Sequence, residues 1–183
     1  MKYLRDLHRR LTLCLCMLLM GMRLFAVDYV EIDGLHYEYI RYNGDITGYG
    51  EVHLVGYSSS ISENLVIPWM VKYQNRLTKR QCHVSTIASG AFNGCSTLKT
   101  INANSVYSIW NEAFRNCTSL QKVSFASCRS IGSKAFAGCT ALDTVYYVSG
   151  ATVADDAFDE STYKKATLIV DDKYWEECNS HEA

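Results

Sequence analysis

The sequence predicts a short solenoid of the α/β class, with one strand per 22-residue repeat forming a parallel sheet on the concave face. The dipeptide Ala-Phe occurs four times at a constant interval. A Cys, a Leu and a β-branched residue follow the first three copies at steps of three, giving the unit I-x-x-x-A-F-x-x-C-x-x-L-x-x-V. A fixed period in this range is typical of repeat architectures. The four copies are Ala91-Phe92, Ala113-Phe114, Ala135-Phe136 and Ala157-Phe158.

The second half of each unit predicts the strand. In the second copy, Val123 and Phe125 alternate with Lys122 and Ser124, which is the pattern of a strand with one buried and one solvated face. The Phe residues are expected to stack as a spine, and Ala lets successive repeats approach closely. The steps of three from Phe to Cys to Leu suggest a short helix or 3₁₀ turn on the convex side.

Residues 1–26 are interpreted as a signal peptide. A basic start is followed by the apolar run Leu11–Met22 and a small residue, Ala26, at the expected cut. The run is shorter than the ~20 residues that a bilayer span needs, so we expect no integral span after signal removal. A retained membrane anchor is one alternative, and lipidation at Cys14 or Cys16 is another. The expected location is secreted or cell surface.

Residues 27–86 are expected to form a β-rich N-terminal cap, because Asp33-Gly34 is a strong hairpin turn signal between alternating segments. Such a cap would cover the open end of the first repeat. The repeats are placed at 87–170. In the fourth unit Ser161 replaces the repeat Cys, so the array is expected to end there, with its last strand at 166–170. Residues 171–183 are expected to be a C-terminal cap helix and tail.

The unit resembles the BspA-type leucine-rich repeats, since segments such as Leu120–Cys128 have the form L-x-x-V-x-F-x-x-C. The resemblance implies a bacterial surface or secreted protein that acts in adhesion and interaction rather than catalysis. One departure is Trp110, which stands where the family usually has Gly, as at Gly132.

Composition and motifs exclude several functions. Without residues 1–26 the chain has 13 Lys and Arg against 18 Asp and Glu, which argues against nucleic acid as a partner. The G-x-S-x-G, H-E-x-x-H and phosphate-loop motifs are missing, so we expect no enzyme and no cofactor. We also expect no metal site, because C-x-x-C is missing and the histidines are scattered. The histidines that follow residues 1–26 are interpreted as ordinary surface or strand residues, and they are His36, His53, His83 and His181.

The repeat cysteines are interpreted as a buried ladder rather than as disulfides. Cys95, Cys117 and Cys139 hold equivalent positions in successive repeats, so their side chains would point the same way. Whether Cys82, Cys128 or Cys178 form disulfides stays open, as does the oligomeric state.

The candidate binding surface is the exposed face of the repeat strands, and its partner would be a protein or a surface glycan. Tyr146 is the strongest single candidate, and Trp110 either is a further exposed aromatic residue or fills a gap between repeats. The alternative function is a structural envelope component without a discrete ligand. The candidates on the face are Lys99, Thr100, Asn102, Gln121, Lys122, Ser124, Asp143, Thr144 and Tyr146.

Overall fold

The computed structural model describes residues 29–40, 50–58, 61–74, 79–148, 150–160, 162 and 167–171. This part of the chain is built from strands and turns. The strands are β1 (Tyr29–Ile32), β2 (Leu35–Ile40), β3 (Gly50–Tyr57), β4 (Asn64–Val66), β5 (Met70–Gln74), β6 (Lys79–Ile87), β7 (Thr100–Asn102), β8 (Ser108–Ile109), β9 (Lys122–Phe125), β10 (Ser130–Ile131), β11 (Thr144–Val148), β12 (Thr152–Val153) and β13 (Thr167–Asp171).

Five of these strands form an all-parallel sheet, here called sheet I, in the order β13-β11-β9-β7-β4. Thr100 is level with Lys122, and Lys122 with Thr144, so the repeat period of the sequence becomes the step from strand to strand. The final strand, expected at 166–170, is observed at Thr167–Asp171.

The remaining strands form sheet II, in the order β1-β2-β3-β6-β8-β10-β12, with β5 also paired to β6. Strands β1 and β2 are antiparallel around Asp33 and Gly34, whose φ angles of 51° and 79° suit a tight hairpin turn. Strand β3 then pairs in parallel with β6, and β6 with β8. Sheet II therefore runs without interruption from the non-repeating strands into the repeats.

The β5–β6 hairpin is an insertion into the first repeat. In sheet I, the step from Asn64 of β4 to its partner Thr100 of β7 is longer than the next two steps, which each equal one repeat period. In sheet II, the steps from Thr86 to Ser108 and on to Ser130 also equal one period each. The additional residues in the first step of sheet I therefore lie between β4 and the end of β6. This is the segment that forms the β5–β6 hairpin.

The side of the repeats between the two sheets is made of turns, which corrects the helical part of the predicted α/β class. In the described residues, helical conformation is confined to Glu160 and Thr162. Single i→i+3 bonds close the turns, such as Cys117 N to Phe114 O at 3.2 Å. The intervening N–H groups instead donate to the next repeat, as Phe114 N does to Ala135 O at 2.8 Å. Because an α-helix needs those donors for its own carbonyls, none forms here.

A stack of aromatic rings runs through the core. Phe92, Phe114, Phe136 and Phe158 stack with ring centroids 5.0–5.2 Å apart and planes within 6° of parallel. Tyr57 of β3 extends the stack, with its ring 5.5 Å from that of Phe92. Offset stacking of this kind adds to the burial energy of each ring. The stack ties the non-repeating strands to the repeats.

The three repeat cysteines lie buried beside the stack as free thiols. Cys117 Sγ donates to Phe92 O at 3.1 Å, and Cys139 Sγ donates to Phe114 O at 3.0 Å. The ladder thus links each repeat to the one before it. Cys82 and Cys128 are also buried and free, while Cys178 lies outside the described residues.

Two predicted terminal segments lie outside the described residues: the signal peptide at 1–26, and the cap helix and tail over 172–183. Asp171, predicted to begin the cap, is instead the last residue of β13. Within the described ranges, no helix has the length and apolar character needed to cross a bilayer.

Candidate functional site

The structure places six of the nine sheet candidates on one surface of sheet I, hereafter the sheet I face, and the other three at its edge. Ile101, Val123 and Val145 point into the core, so the six candidates on either side of them along the strands point outward. The other three candidates directly precede strands β7, β9 and β11. Together the nine form three rows, which are Lys99–Gln121–Asp143, Thr100–Lys122–Thr144 and Asn102–Ser124–Tyr146.

Strand β4 widens this face beyond the predicted candidates. Val66 is level with Asn102 and is 67% exposed. Thr100 Oγ1 donates to Asn64 Oδ1 at 2.8 Å, and Lys99 Nζ lies 2.7 Å from Glu63 Oε2. These residues were not among the candidates because the long step from β4 to β7 breaks the repeat phase. The alternation in Leu65-Val-Ile67 was the available signal.

Internal hydrogen bonds divide the candidates into two groups. Ser124 Oγ donates to Asn104 Oδ1 at 2.8 Å, and Thr144 Oγ1 donates to Asp143 Oδ1 at 2.7 Å. These two hydroxyls donate within the protein, so their protons are not available to a partner. Lys122 and Tyr146, in contrast, are exposed, and no bond to a described residue engages their side chains. Their side chains are therefore open to solvent.

The row Val66–Asn102–Ser124–Tyr146 combines apolar ends with a polar centre. The tyrosine is 42% exposed and lies two strands from Asn102. Charge on the face is mixed: Glu63 pairs with Lys99, while Lys122 has no acidic partner among the described side chains. The face therefore carries both signs of charge beside exposed Val66 and Tyr146.

Trp110 is 43% exposed but does not belong to the sheet I face. It follows β8 of sheet II, and its ring stands edge-on to His53 with centroids 4.9 Å apart. The equivalent position in the next repeat, Gly132, is crowded: a Cβ there would lie 2.5 Å from Asn111 Oδ1 and 2.8 Å from Asn111 N. A side chain is therefore accommodated at position 110 but not at 132.

The structure also gathers three histidines that look scattered in the sequence. His36 on β2, His53 on β3 and His83 on β6 all point away from the core on the outer face of sheet II. Two of them meet carboxylates: His36 Nε2 lies 3.7 Å from Glu31 Oε2, and His53 Nε2 lies 3.8 Å from Glu51 Oε1. Their grouping depends on strand pairing, which the spacing in the sequence does not reveal. His181 lies outside the described residues.

Burial lowers the pKa of His53 below its ordinary value, against the opposing pull of Glu51 and Glu38. Ser85 Oγ donates to Glu51 Oε1, so this serine is not bonded to a histidine that would activate it as a nucleophile. Within the described ranges, no three His, Cys, Asp or Glu side chains are placed to share a metal ion.

The parallel strands at a constant repeat step, each with the form L-x-x-V-x-F or a close variant, define a leucine-rich repeat protein. A family model, the BspA type leucine-rich repeat region, matches residues 74–179 with six copies. The chain therefore belongs to the BspA-type leucine-rich repeat family. The match begins in β5 and extends beyond β13, so it is wider at both ends than the predicted 87–170.

Solved structures show the same fold. A leucine-rich repeat protein from Bacteroides capillosus is similar with a TM-score of 0.63 and 21% identity, covering 78% of this chain and 98% of that one. A leucine-rich cell surface protein from Faecalibacterium prausnitzii is similar with a TM-score of 0.56 and 22% identity, covering 79% of this chain and 43% of that one. A search of curated proteins finds no match.

Proposed function

We propose that this chain is an exported, non-catalytic binding protein that contacts a protein or a surface glycan through the sheet I face. The observation that carries the proposal is the continuous exposed surface that crosses β4, β7, β9 and β11. Extended sheet surfaces of this kind are the usual binding surfaces of repeat proteins. Membership of the BspA-type family, and the description of the Faecalibacterium protein as a cell surface protein, support a location outside the cell.

The architecture that supports this function is a short solenoid with an N-terminal β-hairpin cap. The antiparallel β1–β2 pair lies at the edge of sheet II and joins the repeats through β3 and β6. A rigid stack of repeats holds the exposed side chains at fixed spacing, which limits the conformational entropy lost on binding. Adhesion is the particular interaction that we propose.

The test is binding to purified surface proteins and to a glycan array, with wild type compared with Lys122→Ala and Tyr146→Ala. Both side chains are exposed, so neither substitution is expected to unfold the chain. Each should weaken binding by about 1–2 kcal/mol, or roughly five- to thirty-fold. Lys134→Ala, on an exposed turn away from sheet I, is the matched control.

Unchanged binding by both variants would remove the sheet I face from the proposal. The alternative, a structural envelope component, predicts a different result. In that case the chain would fractionate with the envelope and bind no protein or glycan probe, and neither variant would alter its recovery.

A further inference from the structure

The outer face of sheet II carries separated charges. Strands β1 to β3 contribute Glu31, Glu38 and Glu51 to this face, and their residues 29–40 and 50–58 contain no Lys or Arg. The inserted β5–β6 hairpin contributes Lys72 and Lys79, and its residues 70–74 and 79–83 contain no Asp or Glu. One half of the face is therefore acidic and the other half is basic.

Neighbouring positions establish that these side chains share the face. Val71 and Tyr73 are buried, so Lys72 between them points outward, beside Gln81 of β6. Val52 and Leu54 are buried on β3, which directs Glu51 and His53 outward. Glu51 is level with His83, so the acidic and basic halves meet where β3 pairs with β6.

Two exposed tryptophans lie near this boundary. Trp69 is 62% exposed, and its ring stands edge-on to His83 with centroids 5.5 Å apart. Trp110 makes the equivalent contact with His53. Tryptophan is among the residues most enriched where protein interfaces gain their binding energy. Insertions into a repeat also often lie on the binding side, and the hairpin is such an insertion.

We propose that the outer face of sheet II is the contact surface of a two-fold symmetric dimer of this chain. In a two-fold interface the same patch meets itself, so the basic half of each protomer would face the acidic half of the other. The charge separation makes the patch complementary to its own copy. This face is distinct from the sheet I face, which stays exposed in such a dimer.

The size of the patch indicates a weak dimer. Five strands spaced ~4.8 Å apart, with about six residues each, give a face roughly 20 Å by 20 Å. Its area of roughly 400 Å² is below the ~800 Å² per partner of a standard interface. We therefore expect a dissociation constant on the order of micromolar. Charge pairing would fix the orientation of the two copies and make association weaker at high salt.

The test measures self-association of the purified chain by sedimentation velocity up to about 100 μM, above the micromolar range expected for a small interface. Wild type is compared with Glu38→Lys, Lys72→Glu and the double variant. Each single reversal should raise the dissociation constant at least about tenfold, because the symmetry repeats every contact twice. The double variant should return it to within about threefold of wild type, since complementarity is restored.

Lys122→Glu on the sheet I face is the control and should leave the dissociation constant unchanged. Circular dichroism verifies the fold of each variant. If Glu38→Lys does not fold, the test uses Glu31→Lys and Lys79→Glu as its two charge reversals instead, because Glu31 and Lys79 are both exposed. Two outcomes overturn the proposal. One is a chain that stays monomeric at every concentration tested. The other is self-association that the charge reversals do not change, which is the result expected if the apolar segment 11–22 drives it. Neither outcome bears on binding by the sheet I face.

Discussion

Phe114 and Phe136 stack inside the protein with ring centroids 5.2 Å apart and planes within 6° of parallel. The two residues are one sequence period apart, so one period equals one ring-to-ring step. Phe114 also stacks on Phe92 and is fully buried. Each inner ring of the stack is therefore held on both of its faces.

Replacing an inner ring should cost far more stability than replacing the last one. Phe114→Ala removes a buried ring with two stacking partners and should lower the free energy of unfolding by about 3–5 kcal/mol. Phe158→Ala removes a half-buried ring that stacks only on Phe136 among the described rings, and should cost about 1–2 kcal/mol. Urea denaturation of both variants measures the difference. Equal losses would contradict the stack as an energetic unit.

One turn position has a positive φ angle in three repeats. Glycine is therefore expected to stabilise the fold at this position, and alanine to destabilise it. Gly90, Glu112 and Lys134 are equivalent, and all have positive φ, at 67°, 60° and 54°. A side chain is disfavoured in this conformation, so Lys134→Gly should stabilise the fold by about 1 kcal/mol. Gly90→Ala should destabilise it by a similar amount, although the space around Gly90 is open. Thermal melting tests both, and stabilisation by Gly90→Ala would refute the conformational argument.

The lowered pKa of His53 predicts a loss of stability in mild acid. The unfolded histidine takes up a proton near its ordinary pKa of 6.5, while the folded one stays neutral to lower pH. Protons thus favour the unfolded state, so this contribution falls as the pH drops below about 6.5 and becomes constant below the folded pKa. Unfolding free energies of wild type and His53→Gln, compared between about pH 8 and pH 5, measure the difference. The variant should lose less stability over this range, and parallel curves would show that His53 plays no part.

The buried thiols should resist alkylation in the folded protein. Hydrogen bonding with Cys139 and burial both raise the pKa of Cys117 far above its ordinary value, and burial raises the pKa of Cys128 to about 11. Because the thiolate is the reactive form, labelling at about pH 8 should be slow at both until the chain unfolds. Peptide mapping after timed iodoacetamide treatment, with and without denaturant, measures this. Labelling of folded Cys117 at the rate of a free thiol would contradict the ladder.

The repeating part of the fold was predictable because one period fixes which residues face the core. The alternation around Val123 is enough to place the sheet I face, and equal spacing puts Lys122 beside Thr144. The steps from Phe to Cys to Leu could not distinguish a helix from a turn. Bonds between repeats, such as Phe114 N to Ala135 O, are decided by stacking and have no local signal.

The parts that escaped prediction depend on pairing between distant segments. Tyr57 joins the aromatic stack from a strand without repeat character, and its contact with Phe92 follows from the pairing of β3 with β6. The face that brings His53 beside Trp110 has the same origin. The widening of the sheet I face by Val66 was hidden by the long step from β4 to β7.

The β5–β6 hairpin adds residues to the first repeat without changing the register of the strands on either side of it. Asn64 and Thr100 remain level although the segment between them is longer than in the later repeats, because the additional residues pair with each other from Met70 to His83. Added sequence between Gln74 and Lys79 would lengthen this projection without shifting any later strand. The hairpin is thus a natural position for grafting a foreign peptide, such as an epitope or an affinity tag, onto an otherwise unaltered repeat scaffold.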